Sequence, residues 1–361
     1  MNGKDLTQGS IIGNITTFSL PYMLAYFLQI LYGLADLFVI GQYCGVDSTT
    51  AVSNGAQVMY MVTVVLIGLA MGTTVLTARA IGAKDPVRTR AVVGNTVTMF
   101  AIIAVVLMVV LLCLRGWIVG VMDTPAEALN GMEHYLTICF IGIPFIIAYN
   151  IIASIFRGLG DSKSPMYFVA VACVVNIILD YFFIGVLELG AMGAALGTTL
   201  SQAASVLFAL CYIRRHKGML DISRSDLRPQ RDVIKLILKI GLPIAIQDGF
   251  IQISFLAITV IANGRGLVDA AAVGIVEKFI GLVFIVPSAM LSTVSAISAQ
   301  NIGANKMPRA KQTLRTAMLI TSVYGLVVSI TLQFIPQVAV GLFTSDSQVL
   351  AQGSDYLRGY V

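Results

Sequence analysis

Long apolar runs alternate with short polar gaps from one end of the chain to the other. A helix needs roughly 20 mostly apolar residues to cross about 30 Å of hydrocarbon. Nine runs meet that length, near residues 17–41, 53–79, 91–114, 134–156, 165–186, 191–213, 239–262, 270–299 and 313–335. A tenth is predicted to start at Asp355-Tyr356-Leu357. Barrel strands would instead alternate in polarity over roughly ten residues. The pattern therefore predicts an all-α integral membrane protein embedded in a lipid bilayer.

Composition agrees. Of 361 residues, 57% are hydrophobic and 11% charged, too few polar groups to cover a water-soluble globule, where charged residues make up about 25%. A cytosolic enzyme is excluded. The net charge of +5 comes from cations in short gaps, not from a patch interleaved with aromatics, so no nucleic-acid partner is expected. The five cysteines share no CxxC spacing, and the only histidines are His134 and His216. That is neither a disulfide framework nor a metal cluster, so no resident metal and no cofactor are expected.

The positions of the cations give an orientation. The N-terminus and alternate gaps hold Lys4; Arg79, Lys84, Arg88 and Arg90; Arg157 and Lys163; the stretch from Arg214 to Lys239; and Lys306, Arg309, Lys311 and Arg315. Together these are 19 of the 23 Lys and Arg residues. Basic loops stay in the cytoplasm, so the N-terminus is expected there, with residues 42–50 and 263–269 outside.

The chain also repeats itself. Ala78-Arg79-Ala80-Ile81-Gly82-Ala83 matches Ala299-Gln300-Asn301-Ile302-Gly303-Ala304 at an offset of 221. The same offset carries Ala51-Val52 onto Ala272-Val273 and Tyr135-Leu136 onto Tyr356-Leu357, and Leu20-Pro21 maps onto Leu242-Pro243. Six helices fill one period, so both copies enter the membrane from the same side: a parallel repeat. The expected division is a six-helix lobe over 1–213, a cytoplasmic linker over 214–234 and a second lobe over 235–361. The second copy stops early in its fourth helix, and the chain is expected to be a truncated form of a twelve-helix protein. Gly82 and Gly303 are expected to serve as helix C-caps.

Several motifs together resemble the multidrug and toxic compound extrusion (MATE) family. They are Leu20-Pro21 followed by Gln29-x-Leu31-Tyr32-x3-Asp36-x3-Ile40-Gly41, the Ala51-Val52 pair, and Ala78-Arg79-x-Ile81-Gly82-Ala83. Phe156-Arg157-Gly158-x-Gly160-Asp161 and Asn176-x3-Asp180 complete the set. The resemblance spans the chain. It implies two six-helix lobes forming a V in a bacterial plasma membrane. It also implies export of organic cations or other small amphiphiles in exchange for H⁺ or Na⁺, with the carboxylates of the first and fifth helices resembling the family's cation site. The protein is expected to act as a monomer.

An ionised side chain at mid-membrane costs about 2.5–3.5 kcal/mol on insertion scales, so each embedded acid is a candidate for function. Asp36 and Asp180 lie at similar depth near the outer ends of the first and fifth helices. Asn176 is one turn below Asp180 and Tyr32 one turn below Asp36, on matching faces. Two carboxylates in a dry site cannot both stay ionised cheaply, so the group is read as one ion-coupling site. A shared proton, or an Na⁺ held by Asp36, Asp180 and Asn176, would fill it. In the second lobe Asp248, Gln252 and Glu277 are cavity candidates. Gln29 and the methionines Met59, Met61 and Met71 are candidates for an adaptable substrate cavity. Pro21, like Pro243, either starts its helix at N1 or removes an interior hydrogen bond and acts as a hinge. Pro144 and Pro287 read as fixed kinks.

No GxxxxGK[ST] or HExxH occurs, so neither nucleotide-driven pumping nor metalloproteolysis is indicated. The leading reading is a secondary active antiporter working by alternating access between two lobes. A lipid-linked oligosaccharide flippase would need several cations in its helix interiors, where Lys278 stands alone. An integral-membrane prenyltransferase would need clustered acids, and a channel would not explain the repeat.

Overall fold

The computed structural model describes residues 5–122, 124–216, 222–344 and 346–360; Lys4 and Lys217 lie outside them. Helices α1 Ile11–Tyr43, α2 Val46–Gly82, α3 Pro86–Val121, α4 Ala126–Ile141 and α5 Ile143–Gly158 come first. Next is α6 Lys163–Asp180, which runs on as a π-helical turn, Tyr181–Val186, and then α7 Gly190–Arg215. The second copy comprises α8 Arg231–Arg265, α9 Leu267–Val283, α10 Ile285–Gly303, α11 Met307–Phe334, α12 Pro336–Gly341 and α13 Ser347–Tyr360. No strand occurs among the described residues.

Eight stretches are long and apolar enough to span a membrane, and α4 with α5 makes a ninth, bent by 48°. The bend falls at Gly142, two residues before Pro144, and a one-residue break at Phe284 separates α9 from α10 three residues before Pro287. Proline lacks the N–H that would continue the ladder and clashes with the carbonyl four residues back, so both read as fixed kinks. Pro21 and Pro243 lie well inside α1 and α8, so neither is an N1 residue; each leaves a carbonyl without its helical partner.

Most helices begin several residues before the apolar runs, and polar side chains cap the first turns of α1 and α3. Ser10 Oγ accepts from Gly13 N at 3.3 Å, and Asp85 Oδ1 accepts from Arg88 N at 2.9 Å. The tenth helix, expected from Asp355, starts instead at Ser347. Asp346 caps it by accepting from the Gln348 and Val349 amides at 2.9 and 3.0 Å, as a short acidic side chain does at an N-cap.

The repeat extends to the helix ends themselves. Helices begin at Val46 and Leu267, at Pro86 and Met307, and at Ala126 and Ser347, and end at Gly82 and Gly303, each pair 221 apart. The expected glycine C-caps are displaced. The left-handed residues are Lys84 (φ 54°) and Asn305 (φ 59°), which close the helices through Asp85 N→Ala80 O and Lys306 N→Asn301 O. Gly82 and Gly303 serve close approach instead. A Cβ on Gly82 would overlap the Gln300 carbonyl, and one on Gly303 the Arg79 carbonyl. The two copies of the motif thus pack backbone to backbone where α2 meets α10.

Farther along α2, Gly68 and Gly72 let α8 approach at Ala245 and Ile237. Small residues allow such approach where neither helix gains by leaving water. Residues 5–9 strap the same end of the molecule. Leu6 is buried with Ile15, Phe18, Met290 and Ile297. Its amide donates to Gln300 Oε1 at 2.8 Å, Lys306 Nζ reaches Thr7 O at 2.9 Å, and Arg309 Nη2 reaches Gly9 O at 2.8 Å. Thr7 donates from its amide and hydroxyl to Asp5, holding that carboxyl below the usual carboxylate range. Exposed apolar faces, such as Ile102, Val105, Val106 and Val109 on α3 and Leu319, Val323 and Leu326 on α11, fit contact with lipid tails.

Candidate functional site

The structure brings Asp36, Asn176 and Asp180 together inside the first-copy bundle. Asp36 and Asp180 are 6% and 0% exposed, and Asn176 is 0%. The two carboxyl groups lie within hydrogen-bonding reach of each other, and Asn176 within reach of both. Thr198 Oγ1 donates to Asp36 Oδ2 at 2.9 Å, and Asn176 Nδ2 to Asp180 Oδ1 at 3.4 Å. Asp36 Oδ1, Asp180 Oδ2 and Asn176 Oδ1 have no donor. Three unpartnered buried oxygens, two of them carboxylate, form a site that lacks positive charge. At about 4 Å and an effective dielectric near 20, two like charges cost about 4 kcal/mol, and a proton or cation between them removes that cost.

Local sequence explains how α6 and α7 hold this group. Asn176 and Asp180 are one turn apart, and the π-helical turn begins right after Asp180; such turns recur at functional positions. On α7, Gly193 faces the Phe183 backbone and Gly197 faces Asp180. A Cβ at Gly197 would overlap Asp180 Oδ1. Gly197→Ala is therefore expected to lower stability by about 1–3 kcal/mol, as overpacked cores do, and to impair the site. A thermal unfolding curve of the purified protein checks the first effect.

The remaining sequence candidates separate. Tyr32 stands beside both Asp36 and Gln202. Gln29 points into a different cleft, described below, where it reaches Tyr149. Met59 packs into the first-copy core, Met71 is buried, Met61 is 37% exposed, and none of them lines that cleft. Asp248 lies against Gly68 of α2, half-buried like Gln252. Glu277 accepts from Thr259 Oγ1 at 3.2 Å, about 16 Å along α8 from Asp248 at 1.5 Å per residue. The second-copy acids are not gathered into one group. Sequence reasoning missed Thr198, Gln202, Tyr135 and Cys139, the last two of which lie near Asp36. Tyr135 had a signal, since it is one of the repeated positions.

Arg157, counted above with the loop cations, is 9% exposed. It sits in the last turn of α5 and is covered by α1: its guanidinium lies 5.2 Å from the centre of the Tyr22 ring.

A helical membrane protein with a parallel internal repeat and a buried carboxylate pair has the layout of a membrane transporter. Residues 21–182 and 243–361 match the MatE family, and the chain belongs to it. Probable multidrug resistance protein YoeA of Bacillus subtilis is 30% identical over 95% of this chain and 76% of its own length. Multidrug export protein MepA of Staphylococcus aureus is 26% identical over 94% of this chain and 75% of its own length. Among solved structures, the outward-facing conformation of a multidrug resistance MATE family transporter aligns with a TM-score of 0.90 at 25% identity, covering 99% of this chain and 80% of that one. A MATE in the straight conformation aligns at 0.86 and 25%, covering 99% and 80%. The chain is thus a multi-span membrane transporter and not an enzyme, with the two-lobe, all-helical architecture of its family. Its family's transporters need no cofactor, and no cluster of three or more His, Cys, Asp or Glu occurs among the described residues.

Proposed function

We propose that this chain exports amphiphilic or cationic small molecules across a bacterial plasma membrane in exchange for H⁺ or Na⁺. The ion is taken up by Asp36 and Asp180, with Asn176 and Thr198 as partners and Tyr32 alongside. The observation that carries the proposal is the set of three unpartnered oxygens on two buried carboxylates and an amide. Export against a gradient needs an ion that favours one conformation over the other, and this group changes charge when it binds one. Substrate moves between two lobes, residues 1–213 and 235–361 joined by 214–234, and the interior prolines of α1 and α8 are where those helices flex.

The experiment is dye efflux from proteoliposomes with an imposed pH or Na⁺ gradient. The gradient that drives efflux names the ion, and efflux indifferent to both contradicts the proposal.

The basic loops face the cytoplasm, so the paired glycines of α2 and α10 and the N-terminal strap close the cytoplasmic end. An impermeant thiol reagent is expected to label Ser48→Cys from outside intact cells and to spare Ser223→Cys, in a background without the native cysteines. The opposite labelling contradicts this orientation.

A further inference from the structure

We infer that a cleft on the cytoplasmic side of the acid pair binds the carboxylate of an amphiphilic substrate, with Arg157 as its counter-ion; the inference rests on the export reading above. The cleft lies between Tyr22, Tyr26 and Gln29 of α1 and Tyr149, Asn150 and Arg157 of α5. Arg157 is more than nine-tenths buried, and no carboxylate among the described residues pairs with it. Its Nη2 donates to Ser154 Oγ at 3.0 Å, its face lies over Tyr22, and its Nε has no partner. The ion pairs among the described residues are Arg115–Glu133, Arg265–Asp269 and Arg358–Asp355. Asp161, the acid nearest in sequence, spends its carboxylate on the amides of Lys163 and Ser164 and the Ser164 hydroxyl.

A guanidinium is rarely buried without an anion, and its planar fork matches a carboxylate with two parallel hydrogen bonds. A cation in the last turn suits the helix dipole, but that role is served equally well in water. It explains neither the burial nor the unpartnered Nε. The cavity holds only about 20 Å³, room for the carboxylate itself; the ring system of an amphiphile would lie at its mouth, against the partly exposed rings of Tyr22 and Tyr26. The cleft also connects toward the ion site: Gln29 reaches Tyr149, Tyr149 neighbours Tyr32, and Tyr32 neighbours Asp36. Tyr22 and Asp36 are fourteen residues apart on α1, about 21 Å at 1.5 Å per residue. The first lobe thus carries an anionic ion site at one end and a cationic subsite at the other. The subsite favours amphiphiles that carry a carboxylate over simple cations.

The test compares a rhodamine free acid with its methyl ester, two dyes that share a ring system and a cationic charge and differ by one carboxylate. Equilibrium binding is read by fluorescence anisotropy on the whole chain in detergent. Wild-type protein is expected to bind the acid more tightly than the ester. Arg157→Gln is expected to lose about tenfold for the acid, the loss of one charge-assisted contact, while the ester changes by less than about twofold. Arg157→Lys, which keeps the charge without the fork, falls between. Should Arg157→Gln fail to accumulate, the wild-type ratio of acid to ester decides alone. Equal loss for both dyes, or a wild type that binds the ester as tightly as the acid, overturns the subsite. Failure of the export reading shows differently, as no gradient-driven efflux of either dye, whatever the binding ratio.

Discussion

Asp36→Asn and Asp180→Asn are each expected to abolish coupled export, by about 100-fold at the upper range of coupling energies, while the protein still reaches the membrane. Asparagine keeps the size and polarity of aspartate but cannot accept a proton or offset a cation. Each substitution leaves the hydrogen bonds to Thr198 or Asn176 partly in place, so the helices stay packed and the defect lies in ion binding. Removing one buried negative charge also relieves the repulsion between the pair, so thermal stability is expected to hold or rise. Loss of activity without loss of stability separates a coupling site from a structural one. Asp248→Asn is expected to be milder, because that carboxylate lies against Gly68 and away from the pair. Dye efflux from cells expressing each variant, normalised to membrane protein, is the measurement.

The second large effect is expected where the two copies of the repeated motif touch. In Gly82→Leu and in Gly303→Leu, a side chain must fit where α2 and α10 now pack carbonyl against glycine. No flexible side chain is there to move aside, so the helices must separate. In the orientation proposed above, the contact belongs to the closed cytoplasmic end, and its loss is expected to shift the population toward the inward-open state. Export is then expected to drop by about tenfold or more, since about 1.4 kcal/mol suffices for tenfold and overpacking costs about 1–3 kcal/mol. Ala299 is buried beside this contact, so Ala299→Cys reports on it. A thiol reagent is expected to reach that cysteine faster in the leucine variants. Unchanged labelling together with full export contradicts this closure.

Much of this was readable before any coordinates, for identifiable reasons. Spanning helices follow from apolar length, because in lipid the backbone must satisfy itself. The repeat follows from matched short motifs, and the offset of 221 reappears in the helix ends. The acid pair was legible because an embedded carboxylate is costly and because Asn176 and Asp180 lie one turn apart on the same face. Three things were harder to read. Helix ends were placed too far inward, since hydropathy cannot see the polar turns capped by Ser10, Asp85 and Asp346. Thr198 and Gln202 were missed because hydroxyls and amides on a small-residue helix carry no signal until its packing is known. Arg157 reads as a loop cation because the apolar run ends at 156; only the α1 cover over α5 shows it to be buried.

The central claim is that ion binding at the Asp36–Asp180 pair drives the export of substrate. Linkage makes the coupling reciprocal, so a substrate gradient must move the ion just as an ion gradient moves the substrate. The direct measurement uses proteoliposomes with no ion gradient, a substrate gradient imposed across the membrane, and a fluorescent reporter of H⁺ or Na⁺ inside. In wild-type protein the substrate gradient is expected to drive counter-movement of one of the two ions, and in Asp36→Asn and Asp180→Asn that movement is expected to vanish. Ion movement of wild-type size in both variants, or substrate flux in wild type with neither ion moving, would contradict it.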